Sequence, residues 1–323
     1  MAITKLDKAC VTAIKDCMGA KKKESVLIVT DENKREIGYA MYHNALKLGH
    51  ETLLVEMKAR EINGEEPPKN VAELMKKFDV VLCPTTKSLT HTDARREASA
   101  LGVRIATFPG ITEDVLVRGL NADYKKIAAL TSKLKKLMEK TKIVRVTAPN
   151  GTDITMDISK QKIIPSKGLF HKKGESGNLP TGEAFCAPVE GSAEGVFVVD
   201  GSMAGIGVLE KSTITIEVKK GMAVKISGGK EAKKLETMLD KVGKKARNIA
   251  ELGIGTNDKA KLSGLILEDE KVKGTVHIAL GNNVTMGGSV NVPIHLDGVI
   301  KNDYNQAKKY LFIKAKEIGI NEK

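Results

Sequence analysis

Tryptophan is absent and aromatic residues make up only 3% of the chain, so successive base-stacking platforms have little to be built from. Arginine is almost as scarce: eight of the 53 basic residues, at positions 35, 60, 95, 96, 104, 118, 145 and 247. Bidentate forks for base edges are therefore few. The net charge of +13 comes from lysines scattered along the whole chain and describes a solvated, lysine-rich surface, with no specific nucleic-acid partner. The four cysteines, Cys10, Cys17, Cys83 and Cys186, show no CxxC spacing and no disulfide density, as expected of reduced thiols in the cytoplasm. Long apolar runs are missing too. Those at 26–29, 80–83 and 196–199 fall far short of the roughly 20 residues that span a bilayer. Lys5, Asp7, Lys8, Lys15 and Asp16 leave no signal-peptide core at the N-terminus, and no membrane partner is expected.

The chain has 323 residues, 41% of them hydrophobic and 29% charged, which excludes disorder. At roughly 150 residues per domain this length predicts two domains, with a boundary near residue 140. Residues 1–140 alternate strand and helix: strands at 25–30, 51–57, 79–83 and 103–108, and helices near 35–48, 71–78 and 92–101. Asp31 is placed to cap the first of these helices, and Gly49 to stop it. The pattern predicts an α/β domain with a mostly parallel sheet. The polar loop 84–88 follows a strand, where open α/β sheets usually bind ligands, although an ordinary connection explains it as well.

A basic helix over 122–140 leads into a second half of different period. Residues 143–147 and 154–158 flank Asn150-Gly151 as a hairpin with a type I′ turn. Glycine-rich strands follow at 193–200, 213–218 and 223–227. Leu235, Leu239, Val242, Ala246 and Ile249 predict one helix, with Glu251 at its C-terminal end. Strands near 265–267, 274–280 and 293–299 and a closing helix over 304–318 complete an α+β domain, 141–323, with a largely antiparallel sheet. No GxGxxG follows the first strand. Ser227-Gly228-Gly229-Lys230 has Val224 and Glu231 where a phosphate loop needs Gly and Ser or Thr, so no nucleotide is expected.

Candidate chemistry gathers in the second half. His295-Leu296-Asp297 puts an imidazole and a carboxylate on one face of a strand. His277 lies in an otherwise apolar strand. Together these residues make the two-histidine, one-carboxylate minimum for a metal site. Glu268 and Glu270 would share one strand face. Glu251 at a helix C-terminus would be disfavoured by the helix dipole, which suggests a cation as its reason for being there.

These residues lie within longer motifs. Asn178-Leu179-Pro180-Thr181-Gly182-Glu183-Ala184-Phe185-Cys186-Ala187-Pro188 closely resembles the N-L-P-x-G-E-x-F-T-A-P segment of the aminopeptidase T/aminopeptidase S metallopeptidase family. Residues 250–257 resemble its second motif, His277-Ile278-Ala279-Leu280-Gly281 its third, and His295-Leu296-Asp297 its closing H-x-D. The resemblance implies that Glu183, Glu251, His277, His295 and Asp297 bind a pair of divalent cations such as zinc, cobalt or manganese. Glu270 matches a further ligand but stands two residues farther from His277 than the family pattern has it. The implied activity is a metal-dependent aminopeptidase acting on peptides or small substrates through metal-activated water, with Glu251 or Glu183 as bridging carboxylate and Glu251 the catalytic candidate. The family also implies a homodimer.

One departure bears on the reaction. The family's catalytic Tyr is replaced by Val284, which leaves only Asn282 and Asn283 nearby as oxyanion donors. Ring-cleaving dihydroxypyridine dioxygenases are similar to the same superfamily and use one Fe(II) on two His and one Asp. His277, His295 and Asp297 would suffice for that alternative, and the missing Tyr would not matter to it.

Overall fold

The computed structural model describes residues 3–301 and 311–313. The chain forms two compact units, Met1–Ala128 with Lys167–Thr181, and Ala129–Ser166 with Gly182–Lys323. In place of one boundary near 140, it leaves the first unit within helix Tyr124–Met138, returns at Lys167 and leaves again after Thr181. The return contributes strand Ser176–Asn178, which pairs in parallel with Arg104–Thr107, a long-range contact with no local sequence signal.

The first unit is the expected α/β structure. Its five strands run in the order Thr52–Met57, Val26–Asp31, Val80–Cys83, Arg104–Thr107 and Ser176–Asn178, with every pairing parallel. All six residues of Val26–Asp31 are buried, as a parallel strand covered on both faces requires. Leu27, Val29, Val81 and Ile105 pack with Val71, Met75, Ala94 and Ala98 from the helices. Gly49, at φ +85°, follows helix Arg35–Lys47 and stops it as expected. Asp31 does not cap that helix, which begins at Arg35 without a side-chain cap. Its carboxylate accepts from the backbone N–H and the hydroxyl of Thr86 instead. Loop 84–88 is thus tied to the end of strand Val26–Asp31.

The second unit is built on antiparallel pairing. One sheet runs Met222–Gly228, Ile214–Lys219, Glu194–Val199, Asp153–Asp157, Ile143–Thr147 and Leu311–Ile313. The other runs Gly207–Val208, Ser202–Met203, His295–Ile300, Val276–Gly281, Ile249–Gly255, Glu183–Cys186 and Ile164–Ser166. Phe197, Ile216, Leu235, Leu239, Leu252 and Ile278 share one core. The expected pair of an α/β unit and a largely antiparallel α+β unit is the architecture found. Among the described residues no helix is long and apolar enough to cross a membrane.

Several local expectations give way. The helix through Leu235 ends at Val242, because Gly243 takes φ +101°; a short 3-10 turn, Lys244–Arg247, then feeds strand Ile249–Gly255. Residues 265–267 form no strand, since Ile266–Asp269 is a single helical turn. At the Asn150-Gly151 turn only Gly151 has positive φ, which excludes type I′; the Asn150 side chain accepts from Thr152 N–H at 3.0 Å and donates to Val198 O at 3.1 Å. The closing helix expected over 304–318 lies outside the described residues, apart from Leu311–Ile313, which is a strand.

Candidate metal centre

Strand periodicity builds the site. In the seven-stranded sheet one face carries Ala184 and Cys186, Leu252 and Ile254, Ile278 and Leu280, and Leu296 and Ile300, all in the unit's core. The opposite face must then carry Glu183, Glu251, His277, His295 and Asp297. Register brings them level, with Glu183 opposite Gly255, Gly253 opposite His277, Glu251 and Asp297 both opposite Ala279, and His295 opposite Gly281. Gly253 leaves the space that the His277 ring occupies, whereas a Cβ at Gly255 or Gly281 would meet the backbone oxygen of Val272 or Ile294.

Glu251 therefore belongs to a fully buried strand, and the helix-dipole reason expected for it does not apply. It sits between the two imidazoles: its Oε1 is 3.3 Å from His277 Nε2 and its Oε2 is 3.2 Å from His295 Nε2. His277 Nε2 also lies 3.4 Å from Glu183 Oε2, and His295 Nε2 lies 3.5 Å from Asp297 Oδ1. Glu270 reaches the same cluster from the end of the helical turn Ile266–Asp269, despite its shifted sequence spacing. Its acidic neighbours turn elsewhere. Glu268 accepts from Lys261 N–H at 3.0 Å and Asp269 from Ser263 N–H at 2.7 Å, and on this helical turn Glu268 and Glu270 share no strand face.

Sequence reasoning missed Lys271. Its ammonium, buried at 2% exposure, donates to Glu183 Oε1 at 2.7 Å and also to Glu270. In a chain this rich in lysine nothing local sets it apart.

The donor set suits a cation. His295 Nδ1 lies 2.7 Å from the Asn282 carbonyl oxygen, which can only accept, so Nδ1 carries the proton. In neutral His295 the Nε2 lone pair then faces two carboxylates. Such convergence of acceptors needs a proton or a metal ion between them, and an outer bond of this kind is what orients a metal-binding histidine. Glu183 Oε2, His277 Nδ1 and Asp297 Oδ1 are buried without a hydrogen-bond partner. Two overlapping donor groups converge closely enough to hold an ion, namely Glu183, Glu270 and His277, and Glu251, His277 and Asp297.

Without an ion the cluster holds protons tightly. Burial opposes a charge on His277, but its bond to Glu251 and the Glu183 charge raise it to about 9. His295 is likewise lifted well above the usual histidine range against its burial, chiefly by Asp297. Burial pushes Glu270 up to about 8 in spite of the Lys271 charge, and raises Glu183 as well. Glu251 lies well below the ordinary carboxylate range, because the two imidazoles outweigh its burial.

Both asparagines near the missing Tyr have other partners. The Asn282 amide donates to Val292 O at 2.9 Å and its oxygen accepts from Val284 N–H at 3.0 Å. Asn283 donates to Glu190 Oε1 at 3.0 Å and accepts from Val290 N–H at 2.9 Å. Both side chains are spent on holding the loop between the last two site strands.

An α/β unit followed by an antiparallel unit with a histidine–carboxylate centre defines an enzyme class with the aminopeptidase T-like fold. The whole chain is similar to wild-type AmpT from Thermus thermophilus, with a TM-score of 0.64, 17% identity, and 91% of this chain and 92% of that one covered. It is also similar to the 2,5-dihydroxypyridine dioxygenase structure from Pseudomonas putida KT2440, with a TM-score of 0.79, 20% identity and 93% of each chain covered. Residues 5–302 match the family described as NicX, 2,5-dihydroxypyridine 5,6-dioxygenase, and the chain belongs to that family. A curated relative, the 2,5-dihydroxypyridine 5,6-dioxygenase of Pseudomonas putida, is 26% identical over 234 residues, covering 67% of this chain and 65% of that protein's length. Of the two enzyme readings the sequence supports, these relatives favour ring cleavage over peptide hydrolysis, for which the likeness to AmpT supplies the fold alone.

Proposed function

We propose that this protein is a ring-cleaving dioxygenase that adds both atoms of O2 across a ring bond of a dihydroxypyridine-type diol, with one ferrous ion held by His277, His295 and Asp297. The observation that carries this reading is the placement of those three side chains on two adjacent strands of one sheet face. A ferrous ion in such a facial triad supplies open coordination positions and redox chemistry for a diol and dioxygen.

The chain's own groups have separable tasks. Asn282 O fixes the His295 tautomer by accepting its Nδ1 proton. Glu251, kept ionised between the imidazoles, is the carboxylate placed to orient both of them through its two Oε atoms. Lys271 bonds Glu183 and Glu270 and offsets part of their charge, which makes them poorer metal ligands. Four buried, unpaired cysteines fit a reducing compartment, in keeping with a cytoplasmic enzyme.

The test is anaerobic reconstitution with ferrous ion, followed by an oxygen electrode and 2,5-dihydroxypyridine. Oxygen uptake matching loss of the ring's ultraviolet absorption is the expected result. Release of amino acids from aminoacyl amides by zinc- or manganese-loaded protein, without oxygen uptake by the iron form, would return the assignment to peptidase.

A further inference from the structure

Lys271 is the cationic side chain within a cluster otherwise made of carboxylates and imidazoles. Its backbone is fixed on both sides: Lys271 N–H donates to Glu268 O at 2.9 Å, and Lys271 O accepts from Asn257 N–H at 2.8 Å. The side chain extends from that anchor into the site and bonds Glu183 and Glu270. It is held there, unlike a mobile surface lysine.

The two carboxylates it joins are two of the three members of one ion-holding group, Glu183, Glu270 and His277. The other group, Glu251, His277 and Asp297, shares His277 with it. His277 Nε2 faces Glu183 and Glu251 at 3.4 and 3.3 Å, and one nitrogen lone pair serves one ion. A divalent cation using the carboxylate oxygens of Glu183 and Glu270 would sit about 2.0–2.2 Å from each. The ammonium, 2.7 Å from Glu183 Oε1, already fills the space between them. Both cations cannot occupy it, and the ammonium also offsets part of the negative charge that would draw a second ion in.

We propose that Lys271 is a built-in monovalent cation standing where a second divalent ion would bind, and that it limits this centre to one metal. The inference rests on the reading of His277, His295 and Asp297 as the ligands of a single ion. Lys271 then acts as a specificity-determining residue for metal number, and through it for reaction class: one ion with open positions in place of an ion pair bridging a hydrolytic water.

The experiment uses the full chain, stripped with chelator and dialysed to equilibrium against Mn(II), read by elemental analysis and electron paramagnetic resonance. Wild type is expected to bind about one ion per chain with an uncoupled signal. Lys271→Met keeps the stem's bulk, exposes the two carboxylates to each other, and is expected to bind about two ions with a spin-coupled signal. Two ions in wild type would overturn the proposal, and so would a folded Lys271→Met protein that stays at one. If Lys271→Met does not fold, Glu270→Gln decides. It keeps Lys271, and because Glu270 serves the lysine, Mn(II) affinity should stay within about threefold of wild type, whereas a loss of about tenfold or more marks Glu270 as a ligand and refutes the idea. A wild-type protein that binds one ion yet opens no diol fails the proposed function and leaves this inference standing.

Discussion

Gly253 lies directly across the strand pair from His277, and a methyl group on Gly253 would fall 1.9 Å from His277 Nε2. The imidazole therefore rests on bare backbone, and the glycine sets how far into the site its nitrogen reaches. Gly253→Ala should push the ring off its seat. Metal affinity is expected to drop by about 10–100-fold, the usual cost of disturbing a ligand's support, with far-ultraviolet circular dichroism unchanged. Wild-type affinity in this variant would show that the ring has room to move.

His277→Ala and Asp297→Ala should each lower metal affinity by more than about 100-fold and abolish turnover, since each removes a proposed ligand outright. Both residues are on the sheet face opposite Ile278, Leu280 and Leu296, so the core should remain packed. Activity equal to wild type in either variant would sink the site assignment.

Metal removal should destabilise the protein. Buried acceptors converge on the site, and an ion that binds only the folded chain stabilises it by mass action, by about 2.7 kcal/mol when free metal is 100 times its Kd. The thermal midpoint should fall on chelation and rise with added ferrous or manganous ion in a concentration-dependent way. A midpoint indifferent to metal would argue against a preformed centre.

Asp7 gives a pH test independent of the metal. Bonds from Asn44 and Thr4 hold its carboxyl down to about 2, so ionised Asp7 stabilises the folded state. That contribution is complete above the ordinary carboxylate range and disappears as pH falls through the folded value. The stability difference between wild type and Asp7→Ala should be constant above about pH 5 and shrink steadily between about pH 4 and pH 2. A difference that grows on acidification would reverse the sign of the effect.

The local pattern of the chain carried much of the fold. Runs such as Val26–Asp31 announce buried parallel strands because a strand covered on both faces must be apolar throughout. H-x-D at His295 and Asp297 announces a shared face because strand side chains alternate with period two. The apolar spacing of the helix through Leu235 continues to Ala246 and Ile249, while the break depends on the backbone angle at Gly243. Spacing alone thus places Glu251 on a helix, and the break places it on a strand. Asp31 and the Asn150-Gly151 turn went astray for a similar reason, since polar side chains with several local options are settled by partners such as Thr86 and Val198.

By itself, then, the sequence determined the two-part α/β and antiparallel architecture and the residues that could serve a metal, because burial and strand alternation write those into neighbouring positions. Tertiary structure alone decided which of them meet. Glu183, Glu251, His277 and Asp297 converge through strand register across nearly 120 residues of chain, and Lys271 becomes the cation between Glu183 and Glu270 only once that sheet has formed. An interaction between charges depends on their distance in space, and sequence separation says little about that distance.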